Sequence, residues 1–110
     1  MIFDFNKVTA NDVSNLKGGV GHVLNKGENV DIGRIIVNTI PAGSSIGMHT
    51  HTDNYEICYV ISGHGIENTP EGSFDLYPGM STYCPKGGSH ELVNEGPEDF
   101  VFFGVLPDAK

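Results

Sequence analysis

With 110 residues, 38% of them hydrophobic, the chain has the length and apolar content of one packed domain and too little material for two separate cores. Its formal charge of −8 comes from 14 Asp and Glu against 6 Lys and Arg; that field repels phosphate backbones and anionic lipid, which excludes nucleic acid as a partner class. No run approaches the roughly 20 apolar residues of a helical membrane span, and Met1 to Lys7 show no basic region followed by an apolar stretch, so the expectation is a cytoplasmic protein with no membrane partner.

Taken in chain order, residues 1–18 read as an N-terminal arm, with one short helical turn that carries Val13 and Leu16 and is capped by Asn11 or Asp12. A single barrel domain is predicted from about residue 19 to 106, so that 1–110 forms one domain. The reading is all-β: strand-like runs fall at 20–24, 34–40, 46–51, 57–61, 65–68, 73–76, 81–84, 90–93 and 100–106. The 15 Gly and 6 Pro supply the breaks, with turns predicted at 26–29, 41–43, 62–63, 69–72, 78–79, 86–88 and 94–97. Strands at that spacing indicate a sandwich or barrel.

Ile57-Cys58-Tyr59-Val60-Ile61 and Val101-Phe102-Phe103 are apolar on both faces, whereas a lone barrel alternates apolar and polar residues. Either the segment around Ile2, Phe3 and Phe5 covers the outer face, or a partner subunit does; a homodimer is the expectation. Two cysteines, Cys58 and Cys84, are expected as free, buried thiols.

The chemistry concentrates in four residues. His49 and His51 are two apart, so on a strand both rings point to one side and Thr50 points away. Glu56 opens the next strand, whose pairing returns its carboxylate beside those rings, and His90 follows the turn Lys86-Gly87-Gly88. Three imidazoles and a carboxylate suit one divalent ion, Mn, Fe, Ni, Zn or Cu, at roughly 2.0–2.3 Å. His22 and His64 stand outside this group.

Gly43, five residues, His49-Thr50-His51, four residues, Glu56, six residues and Gly63 resemble the first motif of the cupin superfamily. Gly79, five residues, Pro85-Lys86-Gly87, two residues, His90, three residues and Asn94 resemble the second. Every fixed position is filled, and the 15 residues between Gly63 and Gly79 match the short spacing of small microbial cupins. The resemblance implies a double-stranded β-helix, a jelly-roll barrel, with the metal near its centre on His49, His51, Glu56 and His90. Asn94 shares the face of His90, and a structural side-chain hydrogen bond is expected of it.

Four protein ligands leave about two positions of an octahedral ion open to a small molecule, whereas a closed tetrahedral zinc would be structural. Parity with the ligands puts Ser45 and Gly47 with His49, Cys58 and Val60 with Glu56, and Leu92 with His90, a pocket for a small, partly apolar ligand. Tyr55, Tyr59, Tyr77 and Tyr83 are candidate polar tips, with Tyr83 assigned to the pocket. Oxalate-decarboxylating cupins carry an Arg shortly before the first His; Ile46 stands there in this chain. Arg34 offers a cation if it points into the barrel mouth. Three functions are compatible with this site: a metal-dependent oxygenase, decarboxylase or isomerase acting on a small organic acid, polyphenol or sugar derivative, with Glu56 moving a proton; a binding or sensing cupin without turnover; and a metal-independent sugar isomerase.

Overall fold

Two antiparallel sheets build the barrel in the computed structural model, which describes residues 1–109. The strands are β1 (Asn11–Ser14), β2 (His22–Val30), β3 (Gly33–Ile40), β4 (Ser45–Thr50), β5 (Glu56–Ser62), β6 (Gly65–Thr69), β7 (Gly72–Leu76), β8 (Ser81–Cys84), β9 (Ser89–Val93) and β10 (Phe100–Pro107). A six-stranded sheet runs β1-β2-β3-β10-β5-β8 and a four-stranded sheet runs β4-β9-β6-β7. The predicted all-β jelly roll is therefore the fold.

Period-2 patterning drives the inner faces together. Phe100, Phe102 and Gly104 of β10, Cys58 and Val60 of β5, and Ile36, Asn38 and Ile40 of β3 point between the sheets, and the alternate residues point out. Val23, Ile40, Phe100, Phe102, Leu76 and Leu92 belong to one buried hydrophobic core. Burying side chains of that size contributes roughly 1.5–3 kcal/mol each, the main term opposing chain entropy. Glycine serves close approach here: a Cβ on Gly65 would lie 2.4 Å from Phe100 Cε2, and one on Gly47 would lie 2.3 Å from the Lys17 carbonyl.

Two sequence expectations are corrected. Residues 26–29 do not turn; they continue β2, and the hairpin closes at Asp31-Ile32, where Val30 pairs with Gly33. Gly27 sits mid-strand because the side chain of Arg34 lies over it, a packing role that resembles a turn signal in composition. The N-terminal arm is part of the barrel from Asn11 onward, since Asn11–Ser14 pairs with β2 from Asn25 to His22; the expected helical turn holds only Leu16, at Leu16–Gly18 after Asn15, while Asn11, Asp12 and Val13 lie in β1 and cap nothing. Upstream, Phe5 packs edge-on against Phe103 at 6.5 Å, so the arm covers part of the outer face, and Lys26 Nζ donates to the Phe5 carbonyl at 2.8 Å. Ile57, Tyr59 and Ile61 on the outer face of β5 stay exposed.

Candidate metal centre

His49 on β4 and His90 on β9 are direct partners across the antiparallel pair, and His51 follows β4 by one residue. A register shift between Ile46 and His49 lets β4 turn its imidazoles inward. His51 is held by backbone on both sides: its N–H donates to the Gly88 carbonyl at 2.9 Å and its carbonyl accepts from Gly87 N–H at 2.6 Å. Glu56 heads β5 opposite Cys84. Strand pairing thus gathers four side chains from three strands and one strand end.

The three rings converge, with one ring nitrogen from each lying within 4.8 Å of the others. His51 Nε2 and His90 Nε2 are 3.0 Å apart. Glu56 Oε1 stands 3.0 Å from His90 Nε2 and 3.8 Å from His51 Nε2. His51, Glu56 and His90 are buried and His49 is half-buried.

The opposite nitrogens fix the tautomers. His49 Nδ1 faces the Gly47 carbonyl at 2.7 Å, His51 Nδ1 the Asn54 Oδ1 at 2.7 Å, and His90 Nδ1 the Glu67 carboxylate at 2.9 Å. Each partner accepts only, so every Nδ1–H donates, and the Nε2 lone pairs are left for a cation. Two lone pairs 3.0 Å apart repel unless a proton or a metal ion lies between them. Neighbouring ligands at right angles on an ion with bonds of about 2.1 Å would stand about 3.0 Å apart. The donor set therefore fits a divalent metal held by His49, His51 and His90, with Glu56 beside them.

Without a metal, a proton takes its place. Burial disfavours the charge on His90, but the hydrogen bonds its two nitrogens donate to Glu56 and Glu67 outweigh that and push it up to about 9. Burial raises Glu56, yet its bond to His90 and the charges of His90 and His51 hold the carboxyl below its usual range. His49 is lowered, first by burial and then by its two histidine neighbours, against the Gly47 carbonyl. Cys58 and Cys84 are free and buried, and burial raises both thiols, so neither is a ready nucleophile.

The cluster opens into a cavity of about 760 Å³ that carries His49, His51 and Glu56 on its wall. Ile36, Ile46 and Leu92 join it to the core. Of the five pocket residues predicted from parity, only Leu92 lines this cavity. The β4 irregularity inverts the count there: Ile46 faces in, Ser45 turns its Oγ to the Val20 N–H at 2.9 Å, and Gly47 backs against Lys17 and Gly19. Cys58 and Val60 share the parity of Glu56 but lie deeper, inside the core. Tyr83 is 61% exposed and borders a smaller hollow of about 340 Å³, on the Glu67 side of His90. His22 and His64 pair at the surface with Asp12 and Asp75. Asn94 is fully buried, as a structural residue should be: its Nδ2 donates to the carbonyls of Ile40 and Glu98 at 2.7 Å each, and its Oδ1 accepts from Gly96 N–H at 2.8 Å.

Sequence reasoning missed the residues that aim the rings. Asn54 was within reach, since it follows His51 by three residues in a turn, where Asn side chains bond locally. Glu67 gave no local signal; it approaches His90 only because β6 lies beside β9.

A ten-stranded jelly roll with such a histidine cluster at its mouth is the architecture of a cupin. The model of the Cupin domain matches residues 36–106, and the chain belongs to that family. An oxalate-binding protein of Thermotoga maritima is 29% identical over 112 residues, covering 96% of this chain and 93% of that protein. The crystal structure of a predicted oxalate decarboxylase from Thermotoga maritima superposes with a TM-score of 0.92 at 25% identity, covering 99% of this chain and all of that one. A glucose-6-phosphate isomerase of Thermococcus onnurineus is 38% identical over 64 residues, which span 54% of this chain and 34% of the isomerase.

Proposed function

We propose that this chain holds one divalent metal ion on His49, His51, Glu56 and His90 and binds a small organic acid of the oxalate class on that ion. The observation that carries the reading is the set of imidazoles whose Nδ1 atoms are all engaged by acceptors while their other nitrogens converge within 4.8 Å. Bound there, the ion would supply open positions and Lewis acidity to ligand oxygens. Glu56 balances part of its charge, and Ile36, Ile46 and Leu92 keep the inner wall apolar, which strengthens charge interactions by excluding water. Support comes also from the oxalate-binding relative, which this chain covers almost end to end.

Binding is preferred over decarboxylation because Ile46 stands where oxalate-decarboxylating cupins carry an arginine. Turnover is the second reading, favoured by Glu56: its carboxylate is buried, borders the cavity and lies 3.0 Å from His90 Nε2, placed to take or return a proton. A sugar-isomerase reading rests on a match to about a third of that relative's length.

The test is calorimetric titration of oxalate into metal-loaded and EDTA-stripped protein. Binding only by the loaded form supports the proposal; equal binding by both forms, or none by either, overturns it. We also propose a homodimer through the outer face of β5, where Ile57, Tyr59 and Ile61 are about half exposed. Light scattering should give the dimer mass for the native chain and the monomer mass for Tyr59→Glu; a native monomer rejects the dimer.

A further inference from the structure

Opposite the histidines, the cavity has a second polar wall made by β2 and β3. Inward positions of β3 run Arg34, Ile36, Asn38, and those of β2 run Asn25, Gly27, Asn29; apart from Gly27, all of these border the cavity. Asn25 Nδ2 donates to Asn38 Oδ1 at 2.5 Å. That bond occupies the carbonyl of Asn38, a residue only 4% exposed, and leaves its amide N–H groups toward the cavity. The Arg34 side chain lies across Gly27, where a Cβ would come within 1.9 Å of Nη2 and 2.8 Å of Cζ. A side chain at 27 would force the guanidinium to shift from that position.

Arg34 has no carboxylate partner among the described residues, although Asp53 and Asp108 border the same cavity. The described lysines likewise lack carboxylate partners, and Arg34 is exposed at the cavity rim; what sets it apart is its place over Gly27 on the cavity wall. Its planar fork matches a carboxylate with two parallel hydrogen bonds. The volume also bears on the ligand. The cavity is an open cleft of about 760 Å³, which leaves room for a ligand longer than oxalate.

We infer that Arg34, seated over Gly27, is a specificity-determining residue that receives the distal carboxylate of a longer dicarboxylic acid whose other end chelates the metal. This rests on the metal-centred reading above and names its ligand class: 2-oxo or 2-hydroxy dicarboxylates. Asn38 and Asn25 offer hydrogen bonds along the span between the two ends. Charge alone does not explain the arrangement, because Lys17 also borders the cavity but cannot offer a fork.

The test uses calorimetry on full-length, metal-loaded protein with three probes: oxalate, 2-oxoglutarate, and 2-oxopentanoate, which keeps the chelating end and chain length of 2-oxoglutarate but lacks the distal carboxylate. The native chain should prefer 2-oxoglutarate over 2-oxopentanoate by about tenfold, the scale of one charge-assisted pair. Arg34→Gln should erase that preference while oxalate affinity and metal content stay within about twofold, within the usual scatter of surface substitutions. Arg34→Lys should restore part of it, and Gly27→Ala should lose it with the charge intact. A native chain that binds oxalate yet shows no preference, or a preference that survives Arg34→Gln, overturns the inference and leaves the oxalate reading standing. Failure of every probe to bind removes both.

Discussion

Metal binding should displace a proton from His90, and the amount follows from the site. With His90 pushed up to about 9 by Glu56 and Glu67, its ring is almost fully protonated at pH 7 in metal-free protein. A metal needs the Nε2 lone pair, so loading must release about one proton at that pH. Apparent affinity should then fall about tenfold between pH 8 and pH 7 and level off above pH 9. Stability carries the opposite sign in the metal-free protein. The folded value lies above the ordinary imidazole value of 6.5, so the stabilisation is complete below about 6.5 and disappears as pH rises through about 9. That gap corresponds to on the order of 3 kcal/mol. The assay is isothermal titration of Mn²⁺ or Zn²⁺ into EDTA-stripped protein at pH 7, in buffers of different ionisation enthalpy. The slope of measured heat against buffer enthalpy counts the protons, and about one is expected. Glu67→Gln should lower that count and weaken metal binding roughly tenfold or more, because the acceptor that orients and charges the ring loses its charge. Heats independent of buffer, or a mutant indistinguishable from the native chain, would refute the reasoning.

Further outcomes concern the cluster and the frame around it. His51→Ala and His90→Ala should each lose metal on dialysis, measured by elemental analysis, yet keep a native far-ultraviolet spectrum, since neither ring belongs to the hydrophobic core. His22→Ala should retain full occupancy, because that ring pairs with Asp12 on the surface. Asn94→Ala removes three hydrogen bonds, one of them to the buried Ile40 carbonyl, and should cost roughly 2 kcal/mol in urea unfolding; a loss below about 1 kcal/mol would contradict its structural role.

The strand content and the ligand set were legible because both depend on local spacing. His49 and His51 share a face through the two-residue period, and the glycine and proline breaks mark strand ends, so nine strand-like runs fall on β2 to β10. The pocket wall was less legible. Parity fails at the β4 irregularity, which exchanges Ile46 for Ser45 and Gly47, and parity carries no depth, so it could not separate Cys58 and Val60 in the core from Glu56 at the mouth. Glu67 and the Arg34–Gly27 seat are contacts between strands, and only the order β9-β6 and the β2–β3 register bring them together. Composition suggested a turn at Lys26-Gly27-Glu28-Asn29; the missing side chain at 27 serves a neighbour instead.

Diffraction at the absorption edge of the bound metal, on crystals of metal-loaded protein, addresses the central claim directly. The account predicts one anomalous peak bonded to the Nε2 atoms of His49, His51 and His90 and to the Glu56 carboxylate, facing the cavity. A peak at another place on the chain, or none after loading, would contradict it.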